Sequence, residues 1–318
     1  MMFKKSTEFF TFIALYMNTY RVATIAFGIK HTPKRTGSIN VPSFVSSRFM
    51  TASGESLSPS QNEITENGVY IVDAMPKPLP KDLKNTYFLL RHGQSEGNVE
   101  GVISSARSLA TSSKHGLTPL GYDQGKASAS KLLELIEEQQ KAGNTKSNKV
   151  FFYSSPFSRA KQTAEACLDG IENVDAKVQA LGLDVQKNII MEAGIMERFF
   201  GDLDAEPLST YGYVWPNDMK DPTQTGYNVE SVAAVSTRLR EVVMRIEESN
   251  VHKESKGDII VLTSHADVLQ IMQTYASGLD NVGEFSSYRF GNGEVRFMGR
   301  TPETLPEPQP LEPPTEDA

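Results

Sequence analysis

The chain has 318 residues, 39% of them hydrophobic, enough to bury one or two ordinary cores and too many for a fibrous or wholly disordered chain. Its formal net charge of -7 and pI near 5.4 exclude the broad basic footprint of a nucleic-acid or anionic-membrane partner, so any bound anion must meet a local cluster of positive groups. A single cysteine, Cys167, excludes an intrachain disulfide and a cysteine-rich zinc site; it falls in a helix-like run from Ala160 to Leu168 and reads as a packing residue.

The N-terminal stretch reads as an address. Its longest apolar run, Phe9 to Met17, is far short of the roughly 18 residues of a membrane span, so no integral membrane association is expected. Between Glu8 and Glu55 there is no acidic residue, while Arg21, Lys30, Lys34, Arg35 and Arg48 are spread among Ser, Thr and apolar residues, as in organelle transit peptides. Residues 1–55 are therefore expected to be a targeting or disordered segment. It reads as a mitochondrial presequence, or as a short signal ending near Ala26 followed by a plastid transit segment from Phe27. The alternative is an untargeted extension on a cytoplasmic enzyme. Residues 56–84 read as a linker, polar to Asn67 and then stiffened by Pro76, Pro78 and Pro80. Residues 299–318, dominated by Pro and Glu, read as a disordered tail. That leaves 85–298 as the folded body.

Within the body, short apolar runs alternate with longer helical patterns, which predicts an α/β fold: three layers, a mostly parallel central sheet with helices on both faces. Tyr87-Phe88-Leu89-Leu90 is a buried strand stopping at Arg91-His92-Gly93. Thr118 with Pro119 caps a helix continuing toward Gln140. Val150 to Tyr153 is a second strand, and Ser155-Pro156 repeats the cap signal before a helix through Cys167. Asn228 is a candidate cap for a helix with Val232, Val235, Leu239, Val242 and Ile246 on one face. Asp258 to Leu262 is a third strand, Val268 to Tyr275 a helix, and Phe290 to Glu294 a hairpin turn between two last strands. Arg91, His92, Arg159 and His265 all follow the C-terminal ends of buried strands, where open α/β sheets place their ligands.

These residue types suit phosphoryl transfer. A neutral imidazole is a competent nucleophile, and fixed arginines offer planar, bidentate donors to phosphoryl oxygen. Arg91, Arg159 and the second imidazole, His265, would also lower the pKa of His92 by like-charge repulsion and keep it reactive near neutral pH.

The stretch Leu89-Leu90-Arg91-His92-Gly93-Gln94-Ser95-Glu96-Gly97-Asn98 resembles the signature of the histidine phosphatase superfamily, which includes the cofactor-dependent phosphoglycerate mutases. Four further segments are similar to the family's pattern and stand in its order: Leu117 to Gly125, Ser154 to Ala164, Glu197-Arg198-Phe199-Phe200-Gly201, and Val261 to His265. The resemblance implies His92 as the phosphorylated nucleophile and Glu197 as the acid that protonates the leaving oxygen. It also implies Arg91, Asn98, Arg159 and His265 as phosphate ligands, with Ser95 a weaker candidate. No metal or other cofactor is called for, because the positive side chains take its place. The expected partner is a small phosphorylated metabolite; the sequence does not set an oligomeric state.

Glu197 has rivals as the acid in Glu192, Asp202 and Asp204, and in Asp267, because another branch of the superfamily draws its acid from just after the second histidine. Asn292 reads as a turn residue, Lys114 and His115 as a solvated loop, His31 and His252 as surface or tail residues. The mutases of the family carry Glu-Arg-x-Tyr-Gly followed by a substrate-gripping lysine, whereas here those two positions are Phe200 and Leu208. Losing a hydroxyl and an ammonium, each worth about 1 to 3 kcal/mol, weakens the hold on a doubly charged intermediate and favours water as the acceptor. Hydrolysis of small phosphomonoesters is therefore the expected reaction, with a phosphoglycerate mutase or bisphosphatase as one alternative and a non-catalytic phosphate- or protein-binding module as another. The aromatic segment from Ala205 to Tyr227 is expected at the pocket rim or in a satellite core.

Overall fold

A computed structural model describes residues 63–65, 68–249 and 257–312. The expected targeting segment, most of the polar lead and both His31 and His252 lie outside the described residues.

Two short strands, β1 (Glu63–Ile64) and β2 (Tyr70–Ile71), form an antiparallel ribbon ahead of the main sheet. The main sheet contains β3 (Thr86–Arg91), β4 (Lys149–Ser154), β5 (Asp184–Met191), β6 (Ile259–Ser264) and β7 (Val295–Phe297), in the order β5-β4-β6-β3-β7. Within this sheet the β3–β7 pair is antiparallel and the other pairs are parallel. The helices are α1 (Glu96–Val99), α2 (Pro119–Lys141), α3 (Ser158–Glu172), α4 (Asp175–Ala180), α5 (Tyr211–Asp218), α6 (Val232–Glu248) and α7 (Ala266–Ser277). The architecture is the expected α/β one, with a mixed, mostly parallel five-stranded sheet.

Strand alternation divides the core in two, as the twofold period of a strand requires. On one face Phe88, Leu90, Val150, Phe152, Ile259 and Val261 pack against α2 and α3. On the other, Tyr87, Leu89, Tyr153, Ile260 and Leu262 pack against α6 and α7. Each such fully buried aliphatic or aromatic side chain contributes roughly 1.5 to 3 kcal/mol of transfer free energy, so the central strands are the most firmly held part of the molecule. Their C-terminal ends inherit that rigidity.

Several local readings are corrected. The cap of α3 is Phe157, which makes no side-chain capping bond, because Ser155 is drawn into the site described below. Ser231, not Asn228, caps α6, its hydroxyl accepting from the Ala234 N–H; Asn228 lies one turn earlier in left-handed backbone. The turn at Gly291 to Glu294 leads into a single strand, β7, since the preceding segment is held by side-chain contacts instead of a ladder. Strand β5 had no clean alternation to reveal it, being a half-exposed edge strand with a register shift against β4. Nor is the Pro/Glu-rich end loose throughout: the Gln309 N–H donates to the Ser287 carbonyl, and Leu311 packs on the α6–α7 side of the core. Its prolines lower the entropy lost on docking, which lets few contacts suffice. The lead is likewise tied down, with Leu79 in the core and the Tyr275 hydroxyl donating to the Lys77 carbonyl.

Candidate active site

The ends of β3, β4 and β6 open into a cavity of about 550 Å³. Arg91, His92, Ser95, Asn98, Arg159 and Glu197 all line it. His265 is buried directly behind, its ring 5.2 Å from that of His92 between centroids.

His92 follows the last residue of β3 and is 3% exposed. Its Nδ1 lies 2.7 Å from the carbonyl oxygen of Gly93, an acceptor, so the proton resides on Nδ1 and the lone pair on Nε2. That lone pair receives the Nε–H of Arg159 at 3.2 Å. Burial, then the charges of Arg159 and Arg91, hold the His92 pKa well below its ordinary value, so the imidazole is neutral at neutral pH. The loop carrying it is clamped from below. The Gly93 N–H donates to Thr163 Oγ1, which in turn donates to the Arg159 carbonyl, tying the His92 loop and Arg159 to one side chain. A Cβ on Gly93 would stand 2.3 Å from the Gly121 carbonyl oxygen, so only glycine lets the start of α2 approach this closely.

Arg159 is the second residue of α3, and its guanidinium also donates to the hydroxyl (3.3 Å) and the carbonyl (2.8 Å) of Ser104 while stacking over the Phe157 ring. Ser104 is itself held by His115, whose Nδ1 is 2.7 Å from the hydroxyl. His115 is thus not part of a solvated loop: it is 4% exposed, and its other nitrogen lies 3.2 Å from Glu100. Arg91 donates from Nη1 to the Phe290 carbonyl, leaving its buried Nε without a partner among the described residues. Ser95 and Asn98 cap α1 reciprocally: the Ser95 N–H and hydroxyl both donate to Asn98 Oδ1, which leaves the Asn98 amide nitrogen for the cavity.

His265 places Nε2 at 2.9 Å from the Ser155 hydroxyl and Nδ1 at 3.6 Å from Glu197 Oε2, while Phe157 packs edge-on against its ring. Its pKa too is held well below the ordinary value, by burial and then by Arg159.

Glu197 Oε2 is 3.8 Å from Arg159 Nη2, and Oε1 accepts the Arg198 N–H. Burial outweighs Arg159 and raises its pKa, favouring the protonated acid. Two buried ionic clusters fix the segment. Arg198 grips Asp218 through both terminal nitrogens at 2.7 and 2.8 Å. Glu230 takes Arg107 and Arg238, both of which also donate to the Glu197 carbonyl. The rival carboxylates are committed elsewhere: Glu192 to Gly194 and Arg245, Asp202 to Asn228, Asp204 to Ser105 and Ala106. Asp267 alone of the four lines the cavity.

Sequence reasoning missed Ser104, Ser155, Thr163 and the pair Glu230–Arg238. Only Arg238 left a signal, a charge adjoining the apolar stripe of α6. Among the described residues, no group of three His, Cys, Asp or Glu side chains is placed to hold a metal ion, and no helix is long and apolar enough to cross a membrane.

The sequence pattern of the histidine phosphatase superfamily (branch 1) matches residues 87–305, which takes in all the site residues named above. The chain belongs to this superfamily. Similar proteins include a probable phosphatase of Schizosaccharomyces pombe, 27% identical over 192 residues, 60% of this chain and 56% of that protein; the match spans just over half of the yeast protein's length. A 2,3-bisphosphoglycerate-dependent phosphoglycerate mutase of Brucella anthropi is 24% identical over 62% of this chain and 84% of its own. Similar solved structures include a mycobacterial glucosyl-3-phosphoglycerate phosphatase, at 19% identity and TM-score 0.47 over 66% of this chain and 89% of that one. Another is a phosphoserine phosphatase of Entamoeba histolytica, at 20% identity and TM-score 0.43 over 66% and 88%.

Proposed function

We propose that the chain hydrolyses small phosphomonoesters through a phosphohistidine formed on His92, with Glu197 as acid and then base. The observation that carries this is the His92 ring, which lines the cavity with its proton on Nδ1 toward Gly93 and its Nε2 lone pair met by Arg159 at 3.2 Å. Nε2 attacks phosphorus, the bond from phosphorus to the ester oxygen breaks, and that oxygen takes the proton of Glu197. Arg159, Arg91 and the Asn98 amide receive the phosphoryl oxygens, with Ser95 setting Asn98 and His265 closing the pocket behind. Water then attacks phosphorus, gives its proton to the Glu197 carboxylate, and the phosphorus–nitrogen bond breaks to restore the neutral imidazole.

Hydrolysis is favoured over transfer by Leu208, an apolar side chain in the cavity wall where a mutase carries its lysine. The phenol missing at Phe200 is offset in part by Tyr211, whose ring packs edge-on against Phe200 at 4.9 Å and borders the same cavity. Purified protein should turn over p-nitrophenyl phosphate and lose nearly all activity on His92→Ala; equal rates for the two proteins would overturn the mechanism, and no turnover by either would favour a binding module. Supplying 3-phosphoglycerate with 2,3-bisphosphoglycerate should release free phosphate, not 2-phosphoglycerate.

A further inference from the structure

Beyond the phosphate pocket the cavity has a second wall, made by Asp267 and Gln270 from the first two turns of α7 and by Tyr211 and Trp215 from α5. Asp267 is 2% exposed, yet its carboxylate is only half used. Oδ2 accepts from Trp215 Nε1 at 3.3 Å and lies 3.5 Å from Arg198 Nη1, while Oδ1 has no hydrogen-bond partner among the described residues. Arg198 is shared with Asp218, which it grips with both terminal nitrogens, and makes no hydrogen bond to this second oxygen. A buried acceptor left without a donor is costly, and a cavity-lining one is a place for a ligand's donor.

The cations on this side are committed to the protein. Arg296 donates to Glu294, to Gln273 and to the Tyr288 and Arg289 carbonyls, and Arg289 donates to the Ser286 and Pro310 carbonyls. Leu208 contributes no charge. A second anionic group on the substrate would meet the Asp267 carboxylate at this wall, with these two guanidinium groups already held by protein acceptors.

We propose that this wall is the leaving-group subsite, that it selects phosphate esters of polyhydroxylated, uncharged carbon skeletons, and that Asp267 is its specificity-determining residue, accepting a substrate hydroxyl on Oδ1. The assignment rests on the hydrolytic reading above. Burial, working against Arg198, lifts the Asp267 pKa to about 7, so near neutrality the carboxyl both donates and accepts, which suits hydroxyls better than an ammonium group. The tilted Tyr211–Trp215 pair, centroids 4.6 Å apart, adds an apolar surface for the C–H faces of such a skeleton.

The deciding experiment compares kcat/KM for glycerol 3-phosphate, glucose 6-phosphate, 3-phosphoglycerate and p-nitrophenyl phosphate in the full chain and in Asp267→Asn. The native chain should prefer glycerol 3-phosphate to 3-phosphoglycerate by at least ~10-fold. Asp267→Asn, which keeps an acceptor for Trp215, should shrink that ratio by ~10-fold as the repulsion of the carboxylate disappears. A native preference for 3-phosphoglycerate, or an equal change on all four substrates in the variant, would overturn the subsite while leaving the hydrolytic reading intact. Absence of turnover on every substrate, p-nitrophenyl phosphate included, would overturn that reading and the subsite with it.

Discussion

Arg159 donates its Nε–H to Nε2 of His92 across 3.2 Å, so the cation proposed to receive the phosphoryl group also selects the tautomer of the proposed nucleophile. A guanidinium cannot accept a hydrogen bond, and the contact is therefore possible only while Nε2 is unprotonated. Removing it in Arg159→Met should let the His92 pKa rise toward the ordinary histidine value, though not fully, since burial is the larger cause of its depression. NMR titration of the His92 ring should show this rise. An unmoved titration would assign the effect to burial alone. Turnover should also fall, by ~10² or more, because a desolvated charge-assisted contact worth about 3 kcal/mol is lost.

The pKa directions at His92 and Glu197 set the pH profile. In the proposed mechanism the free protein is competent when His92 is unprotonated and Glu197 protonated, and burial pushes the first pKa down and the second up. Both shifts work in the direction that opens a pH window between them, with the basic limb belonging to Glu197. Glu197→Gln should abolish that limb and cost 10² to 10⁴ on alkyl phosphates, a range typical of general acids. The cost in forming the phosphohistidine from p-nitrophenyl phosphate should be smaller, because p-nitrophenolate leaves without a proton. A basic limb that persists in Glu197→Gln would transfer the acid role to another group.

The sequence is legible where a side chain's place follows from the strand that precedes it. His92 and His265 end the apolar runs of β3 and β6, and Arg159 comes five residues beyond the end of β4, so convergence follows from strand order. It is illegible where a role depends on a partner distant in the chain. Ser155 has the local pattern of a helix cap, and only the proximity of His265, 110 residues later, gives its hydroxyl another partner. Ser104 has no pattern at all; Arg159 and His115 give it one in three dimensions. The edge strand β5 escapes because a strand exposed on one side with a register shift loses the alternation by which strands are read.

The approach of α2 to the catalytic loop should be intolerant of any side chain. A Cβ at Gly121 would stand 2.1 Å from the Gln94 carbonyl oxygen, a backbone atom without freedom to yield. Gly121→Ala should cost about 1 to 3 kcal/mol of stability, lowering Tm by several degrees, and should reduce kcat more than KM by shifting the His92 loop. Calorimetry with steady-state kinetics checks both; a variant with native Tm and kcat would show that the loop has slack.

Glu230 accepts from Arg238 and Arg107 in a site that is fully buried, and their charges hold its carboxylate below the usual range against the cost of burial. Glu230→Gln should leave two buried cations short of their counter-charge and destabilise by roughly 3 to 5 kcal/mol in urea unfolding. Because both arginines also hold the Glu197 carbonyl, the surviving folded fraction should turn over alkyl phosphates more slowly. A stability loss with unchanged turnover per folded molecule would separate the ionic cluster from the acid.

Asp267 couples function to stability with the opposite sign. Its pKa is raised from 3.8 to about 7, so folding favours the protonated form, and the stability this contributes is present below 3.8 and lost as pH rises through about 7. Three units at about 1.4 kcal/mol each put the folded-state cost of ionisation on the order of 4 kcal/mol at pH 8. Asp267→Asn carries no such charge, while Arg198 keeps its bidentate hold on Asp218. The variant should therefore melt higher than the native chain at pH 8, with less than about half that gap left at pH 5, because the gap closes fully only below 3.8. The same elevation at both pH values would mean that ionisation of this carboxyl is not what the native fold bears, and that the cavity wall is strained for another reason.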